Sequence, residues 1–217
     1  MTRCGARTRY RVRVAAPDTS TSRGRATRER IVRAAVEAID ELGAAGVRID
    51  DVCVRAKVGK GQVYHHFGDR DELVRAAVIA KSSDVLELQA RIMERLDDWS
   101  AIRSWFDCLV QLQIDGNARG GCPLASLAAA LAERDETVRL DLVSAYDQWE
   151  QLLRAGLLSM RERGEFPADL DVEPLTTATM AAVQGGLVLT QVRRDPSQLA
   201  TSLDAAYEYL RTHALQA

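Results

Sequence analysis

A chain of 217 residues in which 47% are hydrophobic can bury one sizeable core or two, and a formal net charge of −2 excludes a protein that simply coats nucleic acid along its whole surface. Only 5% of residues are aromatic, five are proline, and no hairpin dipeptide sits between alternating runs, so the fold class is all-α. Four scattered cysteines without a CxxC and three histidines argue against a disulfide scaffold or a structural zinc, and no cofactor is implied.

Charge is unevenly distributed. Residues 1–81 hold 17 Lys and Arg against 10 Asp and Glu, whereas residues 82–217 hold 12 against 21. One end suits phosphates and the other repels them. Most of the positive excess lies in residues 1–26, which carry seven arginines and one acid, Asp18. That composition cannot bury enough surface to fold alone. It reads either as a flexible basic arm, with Arg23 and Arg25 touching DNA, or as an extension without a role. It lacks the apolar centre of a signal peptide, and no run is long enough to cross a membrane, so a cytoplasmic protein with no membrane partner is expected.

The first helix is predicted from Arg28 to Gly43, with Thr27 as N-cap and Ile31, Ala34, Ala35, Ala38, Ile39 and Leu42 as its buried stripe. The next stretch, IDDVCVRAKVGKGQVYHHF from Ile49 to Phe67, organises the rest. Ile49, Val52, Cys53 and Ala56 repeat at helical spacing, and Lys57-Val58-Gly59 interrupts them. A second short helix runs from Lys60 to Phe67, with Val63 and Phe67 inward and Lys60, Gln62, Tyr64, His65 and His66 outward. Two short helices whose second carries donor-rich tips fit a helix-turn-helix, which places that second helix in the major groove. Spacing alone fits a solvated αα-hairpin equally well.

Asp69 caps a fourth helix, with Glu72 completing a capping box and Leu73, Ala77 and Ala80 facing the small domain. Its apolar pattern runs on through Val85, Leu88 and Ile92 to Leu96. After Asp97-Asp98 a fifth helix spans Trp99 to Asp115. The loop GNARGGCP is no phosphate cradle, because GxxxxGK[ST] is missing. A sixth helix follows from Pro123 to Arg134, and Asp135 caps a long seventh that ends near Gly164. An eighth covers Pro174 to Arg193, with Val183, Leu187 and Leu189 buried, and a ninth Ser197 to about Ala214.

The pieces RERIVRAAVEAIDELGAAGVRIDDV, A-x-V-x-K-G at Ala56 to Gly61, VYHHF and F-x-D-R-D-E-L resemble the N-terminal domain of the TetR/AcrR family of transcriptional repressors. GCPLASLAAAL more weakly resembles one branch of that family in its C-terminal domain. Lys57 stands where the family usually has Gly, Gly59 where it often has Ser or Thr, and Arg48 where it has a hydroxyl residue. The last two changes remove groups that cap helices or bond phosphates.

The resemblance implies a DNA-binding domain over 27–72, following the arm, and a ligand-binding and dimerisation domain over 73–217. It implies a homodimer on a roughly palindromic operator, released by a small, mostly apolar or aromatic effector. Lys60, Gln62, Val63, Tyr64, His65, His66, Arg70, Arg48, Gly59 and Arg25 are then the expected DNA contacts. Val63 qualifies only if unburied, Tyr64 is alternatively a half-buried core aromatic, and His66 a packing histidine. Trp105, Phe106, Leu109, Cys122, Trp149, Met180 and Gln184 would line the effector site or simply form the core. Cys122 follows two glycines near a helix N-terminus and reads as a reactive thiol or a small buried hydrophobe. Val183, Leu187, Leu203 and Tyr207 would form the dimer interface. No nucleophile, base and metal set for an enzyme is present. A helical interaction protein that has lost DNA binding is the other class, favoured by the departures at Arg48, Lys57 and Gly59.

Overall fold

The computed structural model describes residues 22–215, leaving aside the side chain of residue 45. Among these residues nine α-helices and one 3-10 turn follow one another without a strand. They are α1 (Ser22–Leu42), the turn Ala44–Gly46, α2 (Ile49–Ala56), α3 (Lys60–Phe67), α4 (Arg70–Ile92), α5 (Trp99–Asp115), α6 (Pro123–Leu131), α7 (Glu136–Glu162), α8 (Glu173–Arg193) and α9 (Ser197–Arg211).

Helix α1 begins earlier than the capping signal predicts. Thr27 is no N-cap: it is buried, and its Oγ1 donates back to the Arg23 carbonyl at 3.0 Å within the helix. A threonine hydroxyl can cap a helix or bond the preceding turn, and here it does the second. Ser22–Ala26 of the expected arm is therefore helical, with Arg23 and Arg25 exposed, while residues 1–21 lie outside the described residues. Leu42, expected in the buried stripe, is 49% exposed.

Packing divides the described chain into two units. One holds residues 22–85 and 126–145; the other holds 86–125 and 146–215. The division falls after Val85, past the end of the three-helix head, and α4, α6 and α7 contribute to both units.

In the first unit α1 packs on α2 and α3. Ile31, Val32, Ala35, Val52, Val63, Leu73, Ala77 and Val78 are its buried apolar centre. Burying each of the larger of these, the valines, Ile31 and Leu73, contributes roughly 1.5–3 kcal/mol. Arg30 donates from Nε to the Ala56 carbonyl at 2.9 Å, tying α1 to the end of α2. Asp69 accepts from the Glu72 amide at 2.8 Å and so caps α4 as its sequence predicts. Arg75 pairs with Asp141 at 2.8 Å and Lys81 with Asp40, joining α4 to α7 and to α1.

In the second unit Asp98 caps α5 by accepting from the Ala101 amide at 2.7 Å. Ile102, Trp105, Phe106 and Leu109 are buried along α5, and Trp149, Leu153, Leu157 and Met160 along α7. Helices α8 and α9 pack closely: a Cβ on Gly186 would lie 2.8 Å from Leu199 Cδ1, and Ser202 Oγ donates to the Ala182 carbonyl at 2.8 Å. Trp99, Phe166 and Tyr207 form an edge-on aromatic group, with Arg211 over Trp99 and Arg103 over Tyr207.

Candidate functional site

The turn between α2 and α3 begins at Lys57, which adopts the left-handed conformation at φ 53° and ψ 52°. This costs a residue with a Cβ about 1 kcal/mol. Two backbone bonds hold it there, from Lys57 N–H to the Val54 carbonyl and from Val58 N–H to the Cys53 carbonyl. They satisfy carbonyls left over at the end of α2. The chain then turns extended at Gly59, which caps α3 without a side chain. Gln62 compensates from within: its Oε1 accepts from the Gly59 N–H at 3.3 Å.

Helix α3 is held down by Val63 and Phe67, both buried, and Arg28 lies over the Phe67 ring at 5.0 Å. Its other side is open. Lys60, Gly61, Gln62, Tyr64 and His65 are exposed, Tyr64 by 50%, and His66 is half-buried between the His65 and Phe67 rings. Val63 is 0% exposed, because its spacing from Phe67 points it into the head, so it cannot meet a thymine methyl. Gly61 was not singled out from the sequence. A Cβ there would meet nothing within 4 Å, so the first turn of α3 offers bare backbone to whatever docks on it. Its signals were a glycine inside a short helix and its place at the end of the A-x-V-x-K-G motif.

Lys60 forms an ion pair with Asp50 at 2.7 Å, which raises its pKa. Both side chains are mostly exposed, so the pair is weak and a phosphate can compete with Asp50 for the ammonium. Arg48 and Gly59 are exposed at the starts of α2 and α3, and Arg48 provides no capping bond. Arg70 is engaged otherwise than expected. Its Nε donates to the Val47 carbonyl at 2.9 Å, its Nη2 to the Ala44 carbonyl at 3.0 Å, and its Nη1 meets Asp71. Two of the guanidinium's donors are thus spent on the carbonyls of the turn before α2.

The residues expected around an effector lie in the second unit. Trp105, Phe106, Leu109, Cys122, Trp149 and Met180 are buried there, and Gln184 is partly buried. Trp105 is part of the core: its Nε1 donates to Gln89 at 3.0 Å. Cys122, Tyr146 and Gln184 converge, since both other side chains approach the Cys122 thiol. Burial pushes the Cys122 thiol up, outweighing the Leu124 and Ala125 amides at the start of α6 that favour a thiolate. Helix-terminus reasoning thus gave the wrong direction for this thiol. A separate groove of about 330 Å³ between α5 and α9 has Phe106 as its one member from the expected set.

Three of the four residues expected at a dimer interface are closed to a partner. Val183, Leu187 and Leu203 are 0%, 4% and 1% exposed, taken up by packing within the chain. Tyr207 is partly buried against Trp99. The accessible apolar surface of α8 is one step around the helix. Gly185 is exposed, as are Val188 (46%), Leu189 (44%, and expected to be buried) and Val192 (75%).

No cluster of metal-ligating side chains occurs among the described residues, and no described helix is long and apolar enough to cross a membrane.

Comparison with known proteins places these features. Residues 31–77 match the family model described as bacterial regulatory proteins, tetR family. Residues 99–206 match the model described as tetracyclin repressor-like, C-terminal domain. The HTH-type transcriptional repressor DhaR of Mycobacterium sp. (strain GP1) is 24% identical over 188 residues, which cover 84% of this chain and 91% of that protein. An uncharacterized HTH-type transcriptional regulator of Mycobacterium tuberculosis is 28% identical over 190 residues, covering 85% and 92%. Among solved structures, a TetR-family regulator from Cytophaga hutchinsonii superposes with a TM-score of 0.78 at 17% identity, covering 92% of this chain and 100% of its own. Regulatory protein TetR from Rhodobacter sphaeroides gives 0.72 at 19%, covering 87% and 99%. At these identities the structural likenesses bear on the fold.

Proposed function

Because the chain belongs to the TetR family of DNA-binding transcriptional regulators, a family of regulators and not of enzymes, we propose that it is a homodimeric repressor of a palindromic operator, released by a small effector. The head built from α1, α2 and α3 binds DNA, and the helices beyond it bind the effector and the second protomer. The setting is the cytoplasm, where operator and effector meet.

The observation that carries this reading is the two-sided character of α3. Val63 and Phe67 fix the helix to its unit, and the opposite side presents Lys60, Gln62, Tyr64 and His65 to solvent. Lys60 and the Tyr64 hydroxyl meet phosphates, as do His65, His66, Arg48 and Arg25. The Gln62 amide reads a base edge in the major groove. Gly59 and Gly61 let the helix N-terminus approach the backbone of the duplex. A two-fold dimer offers two such helices, one per half-site. The partner surface is the exposed apolar side of α8, including Val188, Leu189 and Val192, extended by α9.

Release follows from differential affinity. An effector that binds the second unit better in one arrangement of α4 shifts the population of that arrangement. Helices α4, α6 and α7 each carry residues of both units, and α4, which follows directly on the recognition helix in the chain, is the element taken to convey the change.

A footprint on the DNA upstream of the protein's own gene tests the reading. Protection of two symmetric half-sites, with affinity that falls steeply as salt rises, is expected. Uniform, sequence-independent protection contradicts it.

A further inference from the structure

The second unit contains polar side chains that its own hydrogen bonds leave unsatisfied. Cys122 is buried at the start of α6, and Tyr146 from α7 and Gln184 from α8 both approach its thiol. Both amide atoms of Gln184 are closed to solvent, and beyond the approach to the weakly bonding Cys122 thiol neither has a hydrogen bond of ordinary geometry. Trp149, one turn beyond Tyr146 on α7, is 1% exposed, and its Nε1 has no partner either. The same unit does satisfy a buried indole elsewhere, since Trp105 Nε1 donates to Gln89 at 3.0 Å. Unpaired buried donors and acceptors are costly and rare in native folds, so those on Gln184, which meets Tyr146 at the Cys122 thiol, and on Trp149, one turn from Tyr146, point to a missing partner.

The chemistry of the unpaired atoms defines that partner. The Trp149 N–H can only donate, and the Gln184 amide offers donors and one acceptor. A carbonyl oxygen answers the donors, and an N–H on the same molecule answers Gln184 Oε1. An ionised group buried among these closed atoms would be costly without a paired charge. The Tyr146 hydroxyl has its pKa raised by burial and by the Cys122 thiol, so it stays protonated and can donate to a neutral oxygen. Elsewhere in the same unit Phe106, Leu109 and Met180 are buried and apolar.

We propose that Gln184 and Trp149, with Tyr146 and Cys122 beside them, form the polar recognition point for the effector, and that the effector is a neutral carbonyl compound, best a carboxamide, on a compact apolar body. The inference rests on the effector-released reading above and gives its ligand a chemical class.

Thermal melting of the full chain tests it, with wild type compared with Gln184→Met, which keeps the volume and removes the amide. The probes are benzamide with toluene as its apolar counterpart, cyclohexanone with methylcyclohexane, and benzoate. Without ligand, Gln184→Met is expected to melt about 2–4 °C above wild type, because an unpaired amide is lost. Benzamide or cyclohexanone should raise the wild-type melting temperature more than its hydrocarbon counterpart and more than benzoate, and Gln184→Met should erase the difference. A variant that melts below wild type overturns the proposal, since the amide is then already satisfied by ordered water. Equal effects of each carbonyl compound and its hydrocarbon on wild type overturn it too. Mobility shift with the footprinted DNA on the same samples separates the two readings. Selective stabilisation with release supports both, and selective stabilisation without release keeps the polar site and removes the effector role. Loss of DNA binding by ligand-free wild type removes the repressor reading alone.

Discussion

The Arg70 guanidinium, in the first turn of α4, donates to the carbonyl of Val47, just ahead of α2, at 2.9 Å. A second bond reaches the Ala44 carbonyl at 3.0 Å. A basic residue that sequence reasoning assigns to a phosphate is thus a brace between α4 and the turn that positions α2. Arg70→Ala is expected to lower the stability of the first unit by about 1.5–3 kcal/mol, the range for a hydrogen bond to a charged group. Operator affinity falls only as far as the head loses order, with the salt slope unchanged. Melting curves and salt-dependent binding of the same variant check this. A salt slope reduced by about one, at unchanged melting temperature, would return Arg70 to the phosphates.

Tyr64 behaves oppositely. Its ring is 50% exposed on the open side of α3, so little packing is lost when it is truncated. Tyr64→Ala should weaken operator binding about fivefold to tenfold, the equivalent of roughly 1 kcal/mol or slightly more, at an unchanged melting temperature. Tyr64→Phe separates the hydroxyl from the ring. Fluorescence anisotropy on a labelled duplex gives the affinities, and an unaltered value for Tyr64→Ala would count against docking through this face.

Elements are legible where a local signal has one reading and illegible where it has two. Ile49–Ala56 and Lys60–Phe67 match their predicted bounds because short helices between glycines leave the apolar spacing little freedom. The starts of α5 and α7 were readable because Asp98 and Asp135 each accept from the amide three residues on. The start of α1 was not, since Thr27 could cap a helix or sit inside one, and only its burial decides. On α8 apolar residues occur on more than one side, so periodicity could not say which faces its own chain. Val183 and Leu187 went inward, and Val188 and Val192 stayed out. The unpaired Gln184 amide was invisible for a simpler reason: a sequence names polar groups but not their partners.

The exposed side of α8 supplies the next test. Val192 is 75% exposed and Val188 46%, an unusual display of apolar surface on a regular helix. Val192→Asp should leave the fold of the monomer intact and move the dissociation of the dimer to at least about tenfold higher concentration, because a charge would be buried without a partner at the interface. Sedimentation velocity over a dilution series reads this directly. A dimer indifferent to both Val188→Asp and Val192→Asp would place the interface on another face.

Cys122 gives a chemical prediction. The thiol is buried and its pKa is raised, so at neutral pH it is protonated and shielded. Alkylation by iodoacetamide should modify the partly exposed Cys53 at least about tenfold faster than Cys122 in the native protein, with the two converging in denaturant. Peptide mass mapping of a time course distinguishes them. Rapid native labelling of Cys122 would revive a thiol-sensing role.

The most direct test of the repressor reading counts protomers on DNA. Native mass spectrometry of the protein with its footprinted duplex is expected to give two protomers per duplex. Inserting about 5 base pairs between the half-sites, roughly half a helical turn, should abolish that complex by placing the second recognition helix on the wrong side of the DNA. One protomer per duplex, or a pair that tolerates the insertion, would contradict it.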